Sequence, residues 1–581
     1  MERTLQASLA ERLPPLRVPV SPLLPFALAP MVGLMATVGV FVWVSTQKGL
    51  LGTPEATYSL DNYRVLLGDP FVYKVLRNTG IFGVITTLVA LAVGLPIAWI
   101  TERTTIRAKT LIYGFMTTGL LVPAIFVGMG WTFIAHPRIG FLNKGLVSLF
   151  GLQGGPVDIG TPAGMGFVQG LGLAPLAFVL TVQVFRAMDP ALEEAARTAG
   201  MNFVSTLRRV TLPLARPGIL AALIYIFVIG IATFDIPAVI GLSNNVYVFS
   251  TYVYVEAFPP DGTPEYGIPA ALGTMMVLVA LVLTLWYVQV LRRSQRYQVI
   301  TGKGYRAKQI NLGRWVIACW SFIGLYVFVA LVLPILLVAF MAFLPYIAPP
   351  SADAVRLLTL INFQQLNWEY VLRGLRNTLT LMAVVPPLIL LLAFCTSWLV
   401  VRSRSRARYV LEFGAFLPHT IPRVVFALGA LLLALYVVQD IVPIYGTIWI
   451  IAAVYVIVWL PFATRATNSS LIQIHKELEE AAYVSGLSTI RTARRVVIPL
   501  LRPTLLSVWI WTALLVYREV TAAVFLISQD NVTLPAIVWG RWIQGAPNSA
   551  AVITVLMMVL FVPFLVLCWR YARRSGLAAE L

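Results

Sequence analysis

The chain is 581 residues long, 59% hydrophobic and only 12% charged, with a mean hydropathy of +0.84. This composition excludes an ordinary soluble domain and a disordered chain. The net charge of +19 is scattered over short segments beside apolar runs, and no basic domain collects it. We therefore expect a membrane protein that does not bind nucleic acid.

Apolar runs of about 20 residues recur along the chain, and each is long enough to cross roughly 30 Å of hydrocarbon as a helix. No run has the sustained alternation of a membrane β-barrel. The predicted fold class is therefore an all-α polytopic membrane protein with about twelve transmembrane helices. The predicted spans are 25–44, 79–101, 110–134, 166–187, 218–240, 268–291, 314–343, 378–401, 410–437, 447–465, 504–527 and 548–570.

Basic residues collect before the first span, after spans two and eight, and in the mid-chain segment. The positive-inside rule places these clusters in the cytoplasm, together with both termini, segments 1–24 and 571–581. Segment 1–24 holds four prolines and does not resemble a cleavable signal peptide, so the first apolar run is expected to stay as an anchor.

The chain also contains an internal repeat, because several residues return 299 positions later. The pairs are Arg77-Asn78-Thr79 with Arg376-Asn377-Thr378, Trp99 with Trp398, Arg103 with Arg402, Val122-Pro123 with Ile421-Pro422, and Gly130 with Gly429. The pattern predicts two parallel six-helix repeats related by a pseudo-two-fold axis along the membrane normal. Their predicted bounds are 25–291 and 314–570, joined by a basic linker at 292–313. About 13 extra residues in the first repeat are assigned to the glycine-rich stretch 151–156.

A polar motif occurs once in each repeat, within loops 189–217 and 475–503. Its residues are Glu194, Ala195, Ala196, Gly200 and Pro213 in the first copy, and Glu480, Ala481, Ala482, Gly486 and Pro499 in the second. Each copy predicts a short helix that ends at the glycine, a second short helix capped by Asn202 or Ser488, and a stop at the proline. Paired arginines, such as Arg208-Arg209, would lie at the C-terminus of that second helix. Small residues on one side would let a partner approach closely.

This pattern resembles the EAA loop of permease subunits of bacterial ATP-binding-cassette (ABC) importers of the type I architecture. Val210 and Val496 stand where the family has isoleucine. The resemblance implies a fusion of two six-span permeases in the bacterial cytoplasmic (inner) membrane. It also implies that each loop is a coupling helix seated in a cytoplasmic ATPase subunit, and that transport proceeds by alternating access.

No phosphate-binding loop of the form G-x-x-x-x-G-K-[S/T] occurs in the chain. We therefore expect no catalytic residue, metal site or cofactor in this chain, and ATP with Mg²⁺ bound by partner subunits. Two similar loops imply two identical ATPase subunits. The resemblance further implies an external solute-binding protein, for which the outward loop 138–165 offers the larger surface. The cysteines, Cys319, Cys395 and Cys568, lie in apolar stretches and are expected to be buried or to face lipid.

Ionisable residues in apolar spans are costly unless they are paired or line a wet cavity. Asp235 lies near the end of the fifth span, and Arg518 and Glu519 lie in the eleventh. They are candidates for a translocation pathway or gate, with Arg423 and His419 as weaker candidates. The alternative is a structural ion pair, either between Arg518 and Glu519 or between the halves, and the sequence leaves both interpretations open.

The segments around Asp235 and Glu519 look like those of fused permeases for ferric iron, which makes ferric iron the first expected substrate. 2-Aminoethylphosphonate, thiamine, polyamines, sulfate and molybdate remain alternatives. A secondary transporter driven by an ion gradient would also explain parallel repeats and buried acids, but not two docking motifs. A membrane scaffold would explain neither feature.

Overall fold

The computed structural model describes residues 23–259, 263–294, 310–402 and 407–574. Most of the predicted N-terminal segment, linker and tail lies outside the described residues. The helices of the first half are α1 (Leu24–Ser45), α2 (Asp61–Gly68), α3 (Pro70–Arg103), α4 (Lys109–Leu121), α5 (Ala124–Ala135), α6 (Phe141–Phe150), α7 (Pro162–Ala187), α8 (Pro190–Thr198), α9 (Phe203–Ala232), α10 (Phe249–Ala257) and α11 (Gly267–Ser294). Two short strands, β1 (Gln47–Lys48) and β2 (Thr57–Tyr58), pair antiparallel.

The α-helices in the described part of the second half follow. They are α12 (Trp315–Ala342), α13 (Ala352–Arg356), α14 (Ile361–Gln364), α15 (Trp368–Arg402), α16 (Ala407–Phe416), α17 (Arg423–Leu433), α18 (Ile448–Gln473), α19 (Lys476–Val484), α20 (Thr489–Tyr517), α21 (Thr521–Leu526), α22 (Leu534–Ile543) and α23 (Pro547–Arg574). In the described part of the chain, ten helices are long and apolar enough to cross a membrane, or up to twelve if each of two bent pairs is one span. The predicted all-α polytopic class is confirmed.

Two predicted spans are broken in the middle. The predicted third span is α4 and α5, bent by 92°, and the ninth is bent by 104° between Arg408–Thr420 and Arg423–Val438. Both breaks fall at the repeated Val122-Pro123 and Ile421-Pro422 positions. Proline lacks an N–H donor and pushes the residue before it into extended backbone, so the helix ends there. Val122 has ψ 128° accordingly.

The prediction that Pro213 and Pro499 stop a helix is wrong. Each proline lies inside a continuous helix, α9 or α20, just after a π-helical turn at Leu207–Thr211 or Ala493–Val497. The π turn bonds each N–H one residue further back, which accommodates the missing proline donor without ending the helix. The paired arginines therefore lie in these turns near the helix start, and not at a C-terminus.

The fifth and eleventh spans are displaced from their predicted bounds for the same reason. They were expected at 218–240 and 504–527, but α9 and α20 begin well before those positions and end at Ala232 and Tyr517. The residues that follow, including Asp235 and Glu519, lie beyond the helix ends in irregular or short helical segments. The acidic candidates therefore lie where the long helices are interrupted.

The extra residues of the first repeat include a helix. The connection from α5 to α7 contains α6, which precedes the glycine-rich stretch to which the sequence assigned the insertion. Asn143 of α6 anchors this connection, because its amide nitrogen donates to the carbonyl of Val157 at 2.7 Å and its oxygen accepts from the N–H of Val157 at 3.0 Å.

The repeated Asn-Thr pairs hold the start of one short helix in each half. The amide of Asn78 donates to the carbonyl of Tyr247, and the hydroxyl of Thr79 accepts the N–H of Phe249, which begins α10. Asn377 and Thr378 do the same at the start of α22, with bonds to Val532 and Leu534. Helix N-termini have unpaired N–H groups, so this repeated sequence feature is a capping device.

The described residues form two compact units built from non-contiguous stretches. One contains the chain through Ala36, Leu381–His419 and Ala452–Val516, and the other contains the remainder. The first has a core cluster of Trp398, Leu471, Val497 and Leu501. The second has a cluster around Ala90, Ala177 and Ile226, where glycines on α3 and α7 permit close helix contact as in other membrane bundles.

Within the second unit, the repeated glycines Gly130 and Gly429 each pack closely against the first span of the other repeat, α12 or α1. A Cβ atom on Gly130 would lie 2.5 Å from backbone atoms of Pro334 in α12. A Cβ atom on Gly429 would lie 2.9 Å from the side chain of Thr37 in α1 and 3.1 Å from its carbonyl oxygen. Each repeat thus accepts a helix from the other at an equivalent position.

We expect Gly130→Ala to lower the thermal stability of the purified protein. The added methyl would meet the backbone of α12, and overpacking of this kind costs about 1–3 kcal/mol. Gly114→Ala in α4 is the matched control, because nothing lies within 4 Å of its Cβ position. Thermal unfolding in detergent, followed by tryptophan fluorescence, should separate the two variants. Equal melting temperatures would contradict the close contact at Gly130.

Candidate functional sites

The two copies of the polar motif form the same turn. Gly200 and Gly486 both have φ +82°, the left-handed conformation in which a glycine ends a helix, and the helix ends there as predicted. In the first copy the N–H of Gly200 donates to Arg197 and that of Met201 donates to Ala196, each at 3.0 Å. In the second copy the N–H groups of residues 486 and 487 donate to residues 483 and 482, at 2.9 and 3.0 Å. Both are Schellman motifs, the usual ending of a helix at glycine.

The caps of the short helices differ between the copies. Asn202 accepts the N–H of Ser205 at 2.9 Å, as predicted, and the Asp189 carboxylate accepts the N–H of Ala191 at 2.9 Å. Ser488 immediately precedes α20, but its hydroxyl makes no capping bond, so the capping prediction is wrong at this position. The two copies therefore share the same backbone turn but differ in the hydrogen bonds that cap their short helices.

Each loop presents small and apolar residues at its surface. Ala195, Gly200, Glu480, Ala481 and Gly486 are exposed and Glu194 is half-buried, whereas Ala196 and Ala482 face inward. Two large aliphatic positions are exposed in both copies. They are Leu192 (45%) and Val204 (57%) in the first and Leu478 (48%) and Ile490 (69%) in the second. Exposed apolar side chains therefore recur at equivalent positions in these otherwise polar loops.

A buried arginine lies beneath the first loop. The side chain of Arg103, at the end of α3, is 8% exposed. Its guanidinium donates to the carbonyls of Phe185 (2.8 Å) and Met188 (3.3 Å) at the end of α7 and lies 3.9 Å from the carboxylate of Glu193. That carboxylate also accepts a hydrogen bond from the hydroxyl of Thr211, at 2.8 Å.

The same arrangement recurs beneath the second loop. The side chain of Arg402, at the end of α15, is 6% exposed, and its guanidinium donates to the carbonyls of Leu471 (3.1 Å) and Ile474 (2.9 Å). It contacts the Glu479 carboxylate at 2.7 Å. Burial raises the pKa of the Glu479 carboxyl, against the lowering effect of Arg402. The attraction between Arg402 and Glu479 therefore offsets only part of the free-energy cost of removing the two charges from water.

The sequence had marked Arg103 and Arg402 only as a repeated, membrane-flanking charge. Both side chains are instead turned inward and link three helix ends. The sequence signal that could have revealed this role is a second repeated residue. It is the glutamate in the first turn of α8 or α19, Glu193 or Glu479. A buried arginine and a buried carboxylate on neighbouring helix ends are expected to pair.

The intramembrane candidates lie together in the second unit. Glu519 is 2% exposed and contacts Arg423, the first residue of α17, at 3.1 Å. Asp235 accepts a hydrogen bond from the hydroxyl of Thr521 at 3.0 Å. Arg518 donates to the backbone carbonyls of Leu120 and Val122 at the break between α4 and α5. The structure thus brings together residues that are up to 398 positions apart in sequence.

Helix-end electrostatics explain part of this arrangement. Arg518 lies against carbonyls at the C-terminal end of α4, where a cation is favoured. Arg423 lies at the N-terminus of α17, where a cation is disfavoured, and the Glu519 carboxylate compensates for it. Arg423 and Glu519 form an ion pair here, at 3.1 Å. His419 is exposed and its ring contacts Phe416.

An aromatic cluster adjoins Asp235. Phe234 lies 6.0 Å from Phe525 and 5.7 Å from Trp539 between ring centroids, and Tyr254 lies 5.5 Å from Phe525. Two of these rings come from each sequence half. The charged residues therefore border a packed apolar contact between the repeats, within the second unit.

Metal-ligating clusters are not found among the described residues, where no group of three or more His, Cys, Asp or Glu side chains comes together. Cys395 is buried and Cys319 is half-buried in α12. Nothing is described of the side chain of Cys568.

Two bent helix pairs, two surface turns of the same geometry and two equivalent contacts between repeats define a duplicated helical membrane fold. The family described as the binding-protein-dependent transport system inner membrane component matches residues 78–297 and 386–574. The chain belongs to this family and is a multi-pass inner membrane protein with two copies of the family's repeat.

The relatives that match most of this chain include ferric transport permeases. The ferric transport system permease protein FbpB of Actinobacillus pleuropneumoniae is 25% identical over 539 residues, which cover 88% of this chain and 74% of the relative. A putative ferric transport system permease protein of Haemophilus influenzae is 26% identical over 498 residues, 82% of this chain and 73% of the relative. The spermidine/putrescine permease PotB of Escherichia coli is 26% identical over 235 residues, only 39% of this chain but 82% of PotB. The ferric relatives thus match along a double-length chain.

Proposed function

We propose that this chain is the permease of an ATP-driven importer and that its two loops each dock on a separate cytoplasmic ATPase subunit. The observation that carries the proposal is the duplicated turn at Gly200 and Gly486, with equivalent exposed aliphatic residues beside it. One such surface could be a chance feature. Two of the same backbone geometry support two similar partners, and in this proposal they are a pair of identical ATPase subunits that bind ATP and Mg²⁺.

Ferric iron, delivered by an external binding protein, is the proposed substrate. Support comes from the ferric transport relatives that match over most of the chain. In this proposal transport follows alternating access, with both termini in the cytoplasm. Asp235, Arg423, Arg518 and Glu519 lie on the translocation pathway, and carboxylate oxygens suit a hard cation such as Fe³⁺. The loop that contains α6 offers a surface for the binding protein.

Other small solutes remain the second candidate, because the polyamine permease PotB also matches one repeat. 2-Aminoethylphosphonate and thiamine were the further alternatives from the sequence. A secondary transporter remains the rival of a different class, and it differs in its energy source.

The substrate is tested by uptake into proteoliposomes that contain the permease, the ATPase that co-purifies with it and the external binding protein. We expect ⁵⁵Fe³⁺ loaded on the binding protein to enter in an ATP-dependent manner, with no competition from spermidine, thiamine or 2-aminoethylphosphonate. ATP-dependent uptake of one of those solutes, without iron uptake, would replace the substrate and leave the importer proposal intact. Uptake driven by an ion gradient without ATP would overturn both.

A further inference from the structure

We propose that Arg103 and Arg402 are positioning residues that transmit motion from each docking loop to the transmembrane helices, an inference that rests on the proposed function. Each guanidinium joins three elements at once. These are the end of α3 or α15, the end of α7 or α18, and the first turn of α8 or α19, the short helix that begins each loop and is called the docking helix below. The same triple link occurs in both copies, although the surrounding residues differ.

The arginine contacts lie at the junction between each span and its docking helix, where the docking helix could otherwise change its orientation relative to the span. Only Met188 and Asp189 separate α7 from α8, and only Ile474 and His475 separate α18 from α19. Two residues would form a flexible hinge if nothing else joined the helices. The arginine spans this hinge, since it bonds carbonyls on one side and a carboxylate on the other.

The chemistry of each contact favours a fixed geometry. A cation is stabilised at the C-terminus of the preceding span, and a carboxylate is stabilised at the N-terminus of the docking helix. The planar guanidinium of arginine has five donors and can serve both at once, whereas the ammonium of lysine is a single point charge. Near-complete burial of both side chains keeps water from competing for these bonds.

The two copies differ in how tightly the carboxylate is held by the arginine. Glu479 contacts Arg402 at 2.7 Å, and the position equivalent to Thr211 is Val497, which has no hydroxyl. Glu193 lies 3.9 Å from Arg103 and is bonded to Thr211 of α9 instead. The Glu193 carboxylate therefore has a hydrogen bond to α9 that the valine at the equivalent position of α20 cannot give to Glu479.

The test compares Arg402→Gln, Arg402→Lys and Arg103→Gln in the complete complex. Arg408→Gln is the control, since Arg408 packs on its own neighbour Tyr409. Three quantities are measured: amide hydrogen exchange of α19, binding of the ATPase subunit, and Fe³⁺ transported per ATP hydrolysed. We expect Arg402→Gln to bind the ATPase but to exchange faster across α19. The transport-to-hydrolysis ratio should fall about tenfold, within the usual range of coupling between sites.

The conservative variant and the first copy sharpen the test. Arg402→Lys should also bind the ATPase and should restore only part of the ratio, and Arg103→Gln should have a smaller effect because Thr211 still holds Glu193. Thr211→Val combined with Arg103→Gln should then equal Arg402→Gln. An unchanged ratio, or transport and hydrolysis that fall in equal proportion, would overturn the positioning role. If wild-type hydrolysis never drives transport, the proposed function fails, while exchange across α19 still decides whether the arginine fixes the helix.

Discussion

Replacement of Gly486 by proline should abolish productive coupling at the second loop. Proline cannot adopt φ +82°, because its ring fixes φ near −65°. It would also remove the N–H that donates to Tyr483. We expect the protein to insert normally, because the loop lies outside the spans, but ATPase binding and iron uptake should fall by at least about tenfold. Co-purification of the ATPase and uptake in proteoliposomes measure the two effects.

Gly52→Pro is the matched control for this strain. Gly52 also has φ +82° and nothing lies within 4 Å of its Cβ position, but it belongs to the connection between α1 and α2. The same backbone conflict there should leave ATPase binding unchanged. Normal coupled transport by Gly486→Pro would show that the second loop does not dock on an ATPase. Equal losses in both variants would show that the effect is general misfolding.

The second large effect is expected at Arg423 and Glu519. Arg423→Met would remove the cation that lies 3.1 Å from the Glu519 carboxylate, which is 2% exposed. Loss of one partner of a fully buried pair costs about 3–5 kcal/mol, and the cost should be smaller here because the Arg423 side chain is 39% exposed to screening solvent. Replacing both residues, by Arg423→Met with Glu519→Leu, removes both charges and should restore most of the thermal stability. If the pair lies on the translocation pathway, the double variant should remain unable to transport.

This double replacement separates the two interpretations that the sequence left open. A structural pair predicts that stability and transport recover together, and that result would remove Arg423 and Glu519 from the pathway. The exposed Lys48–Asp61 pair, 2.9 Å apart, provides the control. Lys48→Met should change stability by no more than about 1 kcal/mol and leave transport unaffected. Melting temperature and ATP-dependent uptake are measured on the same preparations.

The sequence predicted the membrane class and the duplicated motif because both depend on local pattern. Apolar runs reveal spans through their length, and a glycine after a short polar helix reveals a left-handed turn, as at Gly200 and Gly486. The breaks at Pro123 and Pro422 were not predicted, since hydropathy averages across a bend. The continuation past Pro213 was missed because a π turn is not visible in residue composition.

The site contacts required the tertiary structure. Arg423 and Glu519 are 96 positions apart, and only the packing of α17 beside the break after α20 brings them together. Arg103 and Arg402 were counted as flanking charges because the positive-inside rule counts arginines near span ends without regard to their direction. Their repetition was visible, but their burial was not.

The most direct measurement is photo-crosslinking from the docking loops. A single photoreactive residue at Val204 or Ile490, both exposed, would be placed in the assembled complex. The account predicts that each position crosslinks to an ATPase subunit, and that both crosslinks in one complex capture two copies. A matched probe at Leu149 of α6, 79% exposed, should not reach the ATPase. Crosslinks to lipid or to the external binding protein from both loops, with iron uptake unaltered when the ATPase is omitted, would contradict the account.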